Sequence, residues 1–311
     1  MAEKFTVDRA LVEGMTKKER VAFVREARRA ERERLARLRR RRRIAGWTAG
    51  GLAVVAAAGV GTYAVVHGAQ EHAAEAAAEA EAAANAGPEN MISDGLQWVS
   101  AGDSTSMTYT ATDALAYGDQ PTANVSTVST TGVLDIQVYL DPTSADAAAF
   151  WSANGDVLEA YVVAGYVSVE LHPVALDTSN TDAVAAVAAF GCVADAEPDS
   201  AFAMWDGIMQ FGIDGADSGT AVTASDLVDA ASTAGVTDAD ATDCIGDGGF
   251  TPWATAASER AAASVPYASD GAGVTSGALV VAAGSVYTGD PGDADALASF
   301  LNDAYTAATS G

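Results

Sequence analysis

The period of apolar and polar positions changes several times along the chain, and each change marks an element. Ile44–Val66 is an unbroken uncharged run, IAGWTAGGLAVVAAAGVGTYAVV, followed by His67. Gln70–Ala86 reads QEHAAEAAAEAEAAANA, with Glu71, Glu75 and Glu79 returning every four residues among alanines. That spacing predicts a helix that is polar on every side, a stalk rather than a core element. Gly87-Pro88 ends it. Beyond Met91 the pattern becomes that of a folded domain. Gly95–Ser100 and Ser106–Thr110 alternate weakly and predict edge strands, and Ala111–Gly132, rich in Thr, Ser, Asp and Gly, predicts a loop. Val133–Leu140 (VLDIQVYL) predicts a central strand. Asp146–Val163 predicts a helix with Phe150, Leu158, Tyr161 and Val162 at helical spacing, and Tyr166–Leu176 (YVSVELHPVAL) a second strong strand. Helices follow over Thr181–Asp195, Asp199–Phe211, Ala224–Ala234, Asp238–Asp247 and Thr251–Ser264. A hairpin is expected over Ala278–Ala283 and Ser285–Thr288, then a last helix over Asp293–Ala307 with Leu297, Phe300, Leu301 and Tyr305 on one face. This order describes an α/β domain with a helical insertion between two halves of a mixed sheet.

Charge sharpens the division. The net charge is −25, but sixteen of the seventeen Lys and Arg residues lie between Lys4 and Arg43, and the only later one is Arg260. Residues 1–43 carry about +9 and the rest about −34. Such a split predicts that the two ends occupy different environments. The acidic part has almost no cation to neutralise phosphate, which excludes nucleic acid as its ligand. The chain therefore divides into a basic arm at 1–43, an apolar segment at 44–67, a stalk at 68–88 and an acidic domain at 89–311.

The apolar segment predicts a single transmembrane helix. About 23 residues at ~1.5 Å each make about 34 Å, enough for ~30 Å of hydrocarbon. Trp47 and Tyr63 sit near its ends, where amphipathic rings prefer the interface, and Arg39–Arg43 abut its N-terminal side. By the positive-inside rule the arm is cytoplasmic and the acidic domain extracytoplasmic, at the cell membrane. A cleaved signal peptide is the alternative, but the basic flank is long and the run exceeds a signal h-region. The arm reads as a topogenic signal, with attachment to anionic lipid as the functional alternative.

Few residues of the acidic domain carry obvious chemistry. His172 is its only histidine, in an apolar strand before Pro173, and reads as a packed residue. No nucleophile elbow is present for a Ser-His-Asp arrangement. Asp238, Asp240, Asp243 and Asp247 crowd one segment and Asp290, Asp293 and Asp295 another, without EF-hand spacing, so a solvated acidic surface is expected. Gly246-Asp247-Gly248-Gly249 has no nearby cation to meet a phosphate. No cofactor and no metal site is expected. Trp151, Trp205, Trp253, Phe202 and Phe211 lie at helical spacings and read as core.

From Glu89 to Ala307 the order of elements and several local sequences resemble the membrane-anchored DsbA-like branch of the thioredoxin superfamily in actinobacteria. The matching stretches are Asn90–Gly95, Val138–Asp141, Leu171-His172-Pro173, Gly191–Asp195 and Gly273-Val274-Thr275. The resemblance implies a thioredoxin-like fold and a C-x-x-C pair at a helix N-terminus, where the dipole and free N–H groups stabilise a thiolate. In the register set by Asp141 those positions are Ser144 and Ala147, and neither can exchange a disulfide. Asp146, between them, would oppose a thiolate. The family's cis-proline aligns to Ala278, and a non-proline cis bond costs ~2.5–4 kcal/mol, so a trans bond is expected there. The resemblance thus implies a degenerate, redox-inactive site, a pseudoenzyme that binds a protein or peptide partner.

Cys192 and Cys244 are the only cysteines, 52 residues apart, each in a predicted helix of the insertion. In an oxidising compartment a structural disulfide is expected. It would contribute about 4 kcal/mol in the chain-entropy model. A thiol oxidoreductase using this pair is the alternative function, and two isolated thiols the alternative state. A third reading is an acidic surface protein whose charge serves solubility alone.

Overall fold

The computed structural model describes residues 85–310 apart from 126–127 and 219–221, together with a few helical positions between 76 and 82. The predicted arm and the apolar run at 44–67 lie outside the described residues. Among the described residues no helix is long and apolar enough to cross a membrane.

Six strands form one mixed sheet: β1 (Leu96–Ser100), β2 (Met107–Tyr109), β3 (Leu134–Leu140), β4 (Val167–Pro173), β5 (Ala278–Ala282) and β6 (Ser285–Val286), in the order β2-β1-β4-β3-β5-β6. All seven residues of β3 and of β4 are buried, although both strands alternate apolar with polar positions. They pair in parallel, with Asp135 opposite Ser168, Gln137 opposite Glu170 and Tyr139 opposite His172. β5 runs antiparallel to β3, bringing Ala278 opposite Leu140. One expectation needs correction. β1 is an internal strand between β2 and β4, so of the two expected edge strands β2 alone lies at an edge, with β6 at the other. The weak alternation of LQWVS hides a strand whose first three residues are buried.

The helices are α1 (Val128–Thr131), α2 (Ala145–Ala164), α3 (Thr181–Ala196), α4 (Ala201–Ser218), α5 (Ala224–Thr233), α6 (Ala239–Asp247), α7 (Thr251–Ala263) and α8 (Ala294–Thr309). The single turn α1 interrupts the expected loop, and α4 runs seven residues past the expected end at Phe211. Their ends follow local chemistry. Asn180 caps α3 by accepting from the backbone N–H groups of Asp182 and Ala183. Thr223 and Asp226 form a reciprocal capping box on α5. Gly165 ends α2 in the left-handed region at φ 79°, donating to the carbonyls of Tyr161 and Val162. Along α8 the buried stripe is narrower than expected: Leu297, Leu301 and Ala304 are buried, while Tyr305 is 40% exposed.

Strand alternation sorts the core into two clusters. Leu134, Ile136, Val138 and Leu140 face the larger one, with Leu96, Trp98, Val169 and Leu171 from neighbouring strands. Phe150, Phe190, Phe202 and Trp205 fill it from the helices, Trp98 meeting Phe202 edge-on at 5.2 Å. The opposite face holds a smaller cluster with Tyr139, Val265, Tyr267, Val274, Leu279 and Val281. Trp151, Trp205, Trp253 and Phe202 are all buried, and the side chain of Phe211 lies outside the described residues.

Candidate functional site

The C-terminal end of β3 delivers the chain into α2 through a tight turn. Asp141, 5% exposed, holds it: Oδ1 accepts from the N–H and Oγ1 of Thr143 at 2.8 and 2.7 Å, and Oδ2 from the N–H of Leu176 at 2.9 Å. Its own N–H donates to the carbonyl of Gly277 at 2.9 Å, tying the turn to the loop before β5. Ser144 then caps α2, its Oγ accepting from the N–H of Asp146 at 3.1 Å. Gly277 lies so close that a Cβ there would come within 1.6 Å of Ser144 Oγ. The structure thus brings together Ser144, Ala147 and Ala278, the three positions that the resemblance assigned to the family's redox site.

What this constellation can do is limited by its side chains. The one hydrogen bond of the Ser144 side chain among the described residues is its cap. Ala147 is fully buried. The first-turn acid of α2 is Asp146, which suits a helix N-terminus but repels a thiolate. No cis peptide bond occurs among the described residues, and Ala278 opens β5 in regular pairing with Leu140.

The opposite face of the sheet carries a buried polar stripe. Asp135, Gln137, Ser168, Glu170 and His172 are each less than a tenth exposed. Ser168 donates to Asp135, and Ser93 donates to Glu170 Oε1, which also accepts from Asn124 Nδ2 at 3.0 Å. His172 Nε2 lies 3.4 Å from Glu170 Oε2, at ion-pair distance but without hydrogen-bond alignment. The His172 ring stacks on Tyr139 at 4.2 Å, and a Cβ on Gly95 would lie 2.5 Å from its Cε1, so glycine makes room for it. Burial alone pushes the Glu170 carboxyl up, but His172, Ser93 and Tyr267 together hold it below the usual glutamate value. Burial pushes the Tyr139 and Tyr267 hydroxyls well above the ordinary tyrosine value, with Glu170 adding to both, so both stay protonated. His172 is therefore packed, as its strand context predicts.

Arg260 finds its partner here. Its Nε and Nη2 donate to Asp94 at 2.8 Å each, and Trp253 Nε1 donates to the same carboxylate at 2.9 Å. Asp94 is a residue that sequence reasoning missed. A pair separated by 166 positions leaves no local signal, although a lone base in so acidic a domain was itself a pointer.

Cys192 and Cys244 are joined, linking α3 to α6. Cys192 is 1% exposed in the body of α3. Cys244 lies in the last turns of α6 beside Asp243 and Asp247, where the negative end of the helix dipole disfavours a thiolate. Two of the crowded aspartates serve as caps, Asp238 accepting from the N–H of Asp240 and Asp293 from that of Ala296.

Residues 133–266, from the start of β3 through α7, match the family model described as thioredoxin. This segment is thioredoxin-like. The thioredoxin-like part holds Ser144, His172, Arg260 and both cysteines, and the match ends before the Gly277 loop. Solved structures similar to the chain include reduced DsbA from Mycobacterium tuberculosis, at 20% identity and TM-score 0.47, covering 70% of this chain and 98% of that one. MdbA, a thiol-disulfide oxidoreductase from Corynebacterium diphtheriae, is similar at 17% identity and TM-score 0.46, covering 67% and 93%. The MdbA of Actinomyces oris, also a thiol-disulfide oxidoreductase, is similar at 15% identity and TM-score 0.47, covering 58% and 84%. No curated protein matches the chain.

Proposed function

We propose that this chain is a membrane-anchored thioredoxin-fold module that binds a protein or peptide outside the membrane and performs no thiol–disulfide exchange. One observation carries the reading: the chain's only two cysteines are joined to each other, so no thiol is left, and the helix N-terminus expected to present one is closed by Ser144. The uncharged run at 44–67, with five arginines before it, supports the anchor and the orientation. The bridge itself is a poor redox pair, since one sulfur is buried and the other sits at a helix C-terminus among acids.

The test is reduction of insulin by the full-length protein in detergent, with dithiothreitol as the electron source. The expected rate equals the blank for the native chain and for the Cys192→Ser/Cys244→Ser variant alike. A rate above the blank that disappears in that variant, while its circular dichroism is unchanged, overturns the reading in favour of an oxidoreductase. Introducing Ser144→Cys and Ala147→Cys together is expected to raise the rate above the blank, because the helix N-terminus is already in place.

A further inference from the structure

A cavity of about 230 Å³ lies on the polar face of the sheet, between the C-terminal ends of β3 and β4 and the end of α7. It is separate from Ser144, which caps α2. Its walls are largely apolar, with Pro121, Pro173, Val174, Ala261 and Pro266 among them. Besides His172, whose ring nitrogens are buried without a hydrogen bond among the described residues, two groups lining it have unused hydrogen-bonding capacity. Tyr139 is 3% exposed and its hydroxyl makes no hydrogen bond among the described residues. Arg260 spends Nε and one donor of Nη2 on Asp94, and a guanidinium carries five N–H donors. With no partner among the described residues, the Tyr139 hydroxyl at the cavity wall is a donor that an acceptor inside the cavity can take.

The charge balance narrows the chemistry. Asp94 cancels the charge of Arg260, so the cavity offers donors without surplus positive charge. Glu170 lies behind the His172 ring, and the surrounding domain is strongly acidic. A carboxylate would find donors there but also repulsion. An uncharged carbonyl finds the donors alone. The volume suits a body of about ring size, since a cavity of about 150 Å³ holds benzene.

We infer that this cavity is a binding site for a small uncharged carbonyl compound, an amide being the best match. The carbonyl oxygen accepts from Tyr139 Oη and Arg260, the proline-rich walls cover the apolar body, and Gln120 and Ser264 at the rim meet the amide N–H. The site is independent of the partner-binding function proposed above, and the failure of one leaves the other standing.

Benzamide and benzoate are the probes, titrated into the full-length protein in detergent and read by saturation-transfer difference NMR. Benzamide is expected to bind saturably, and benzoate at least tenfold more weakly. Tyr139→Phe keeps the ring stacked on His172 and should weaken benzamide about three- to tenfold, the worth of one neutral hydrogen bond. Ala263→Phe, at an exposed position on the mouth, should abolish binding by plugging it and decides the matter if Tyr139→Phe does not fold. Equal or tighter binding of benzoate, binding unchanged in the variants, or no saturable binding of benzamide up to its solubility overturns the inference.

Discussion

The two faces of the sheet bury side chains to the same depth by opposite means. On one, Ile136, Val138, Val169 and Leu171 meet α2 and the ring cluster of Trp98, Phe190, Phe202 and Trp205. Each contact there is non-directional, and its worth follows the area and shape of the groups removed from water. On the other, Asp135, Gln137, Glu170 and His172 alternate with those same residues along the same two strands. Asp135 and Glu170 depend on named partners there, Ser168 for one and Ser93 and Asn124 for the other, so loss of one group strands another. The apolar face should fail by degrees, and the polar face by pairs.

The largest expected effect belongs to the apolar face. Phe150→Ala should cost about 3–5 kcal/mol of unfolding free energy by leaving a cavity under the sheet, with little dependence on pH, as urea titration at several pH values would show. A cost that varied strongly with pH would mean that the two faces are not energetically separate.

On the polar face the sharper measurement is a cycle. Glu170→Ala and Ser93→Ala should each destabilise by about 1–3 kcal/mol, yet together by clearly less than their sum, because the second removes a donor already orphaned by the first. Val138→Ala combined with Phe150→Ala provides the control. Additivity of the Glu170 and Ser93 variants would show that the polar stripe is not a network.

The smallest effect is the most diagnostic. Glu170 has a lowered carboxyl pKa, so its contribution is complete above the unfolded value and is lost as pH falls below the ordinary 4.5. Glu170→Gln should therefore flatten the drop in Tm below about pH 4.5, whereas Phe150→Ala should shift the whole curve downward in parallel. An unchanged acid limb in Glu170→Gln would place the pH dependence elsewhere.

The same contrast explains what the sequence revealed. The runs VLDIQVYL and VSVELHP are long and β-rich enough to announce two strands, and the apolar half of each announces a core. Their polar half, at 135, 137, 168, 170 and 172, looks like a solvated face, because alternation records that two faces differ and not that one of them meets water. Burial of Glu170 and the pairing of Asp94 with Arg260 are set by segments more than 70 residues away, beyond any local period. At Ser144 the case is reversed. Composition says nothing about that residue, and only the register carried by the family resemblance places it at the helix N-terminus, beside the loop before β5. The internal position of β1 escaped for another reason: five residues of weak alternation do not reveal whether a strand has one neighbour or two.

The bridge between α3 and α6 also bears on how the protein comes to exist. A nascent chain leaves the ribosome with two thiols, and the finished domain has none. Two electrons and two protons must go to an acceptor that this chain does not contain, which makes it a client of oxidative folding in its own right. Produced in a reducing cytoplasm, the helical insertion would lack its strap. Produced where disulfides form, its yield should follow the supply of oxidant rather than the strength of the promoter.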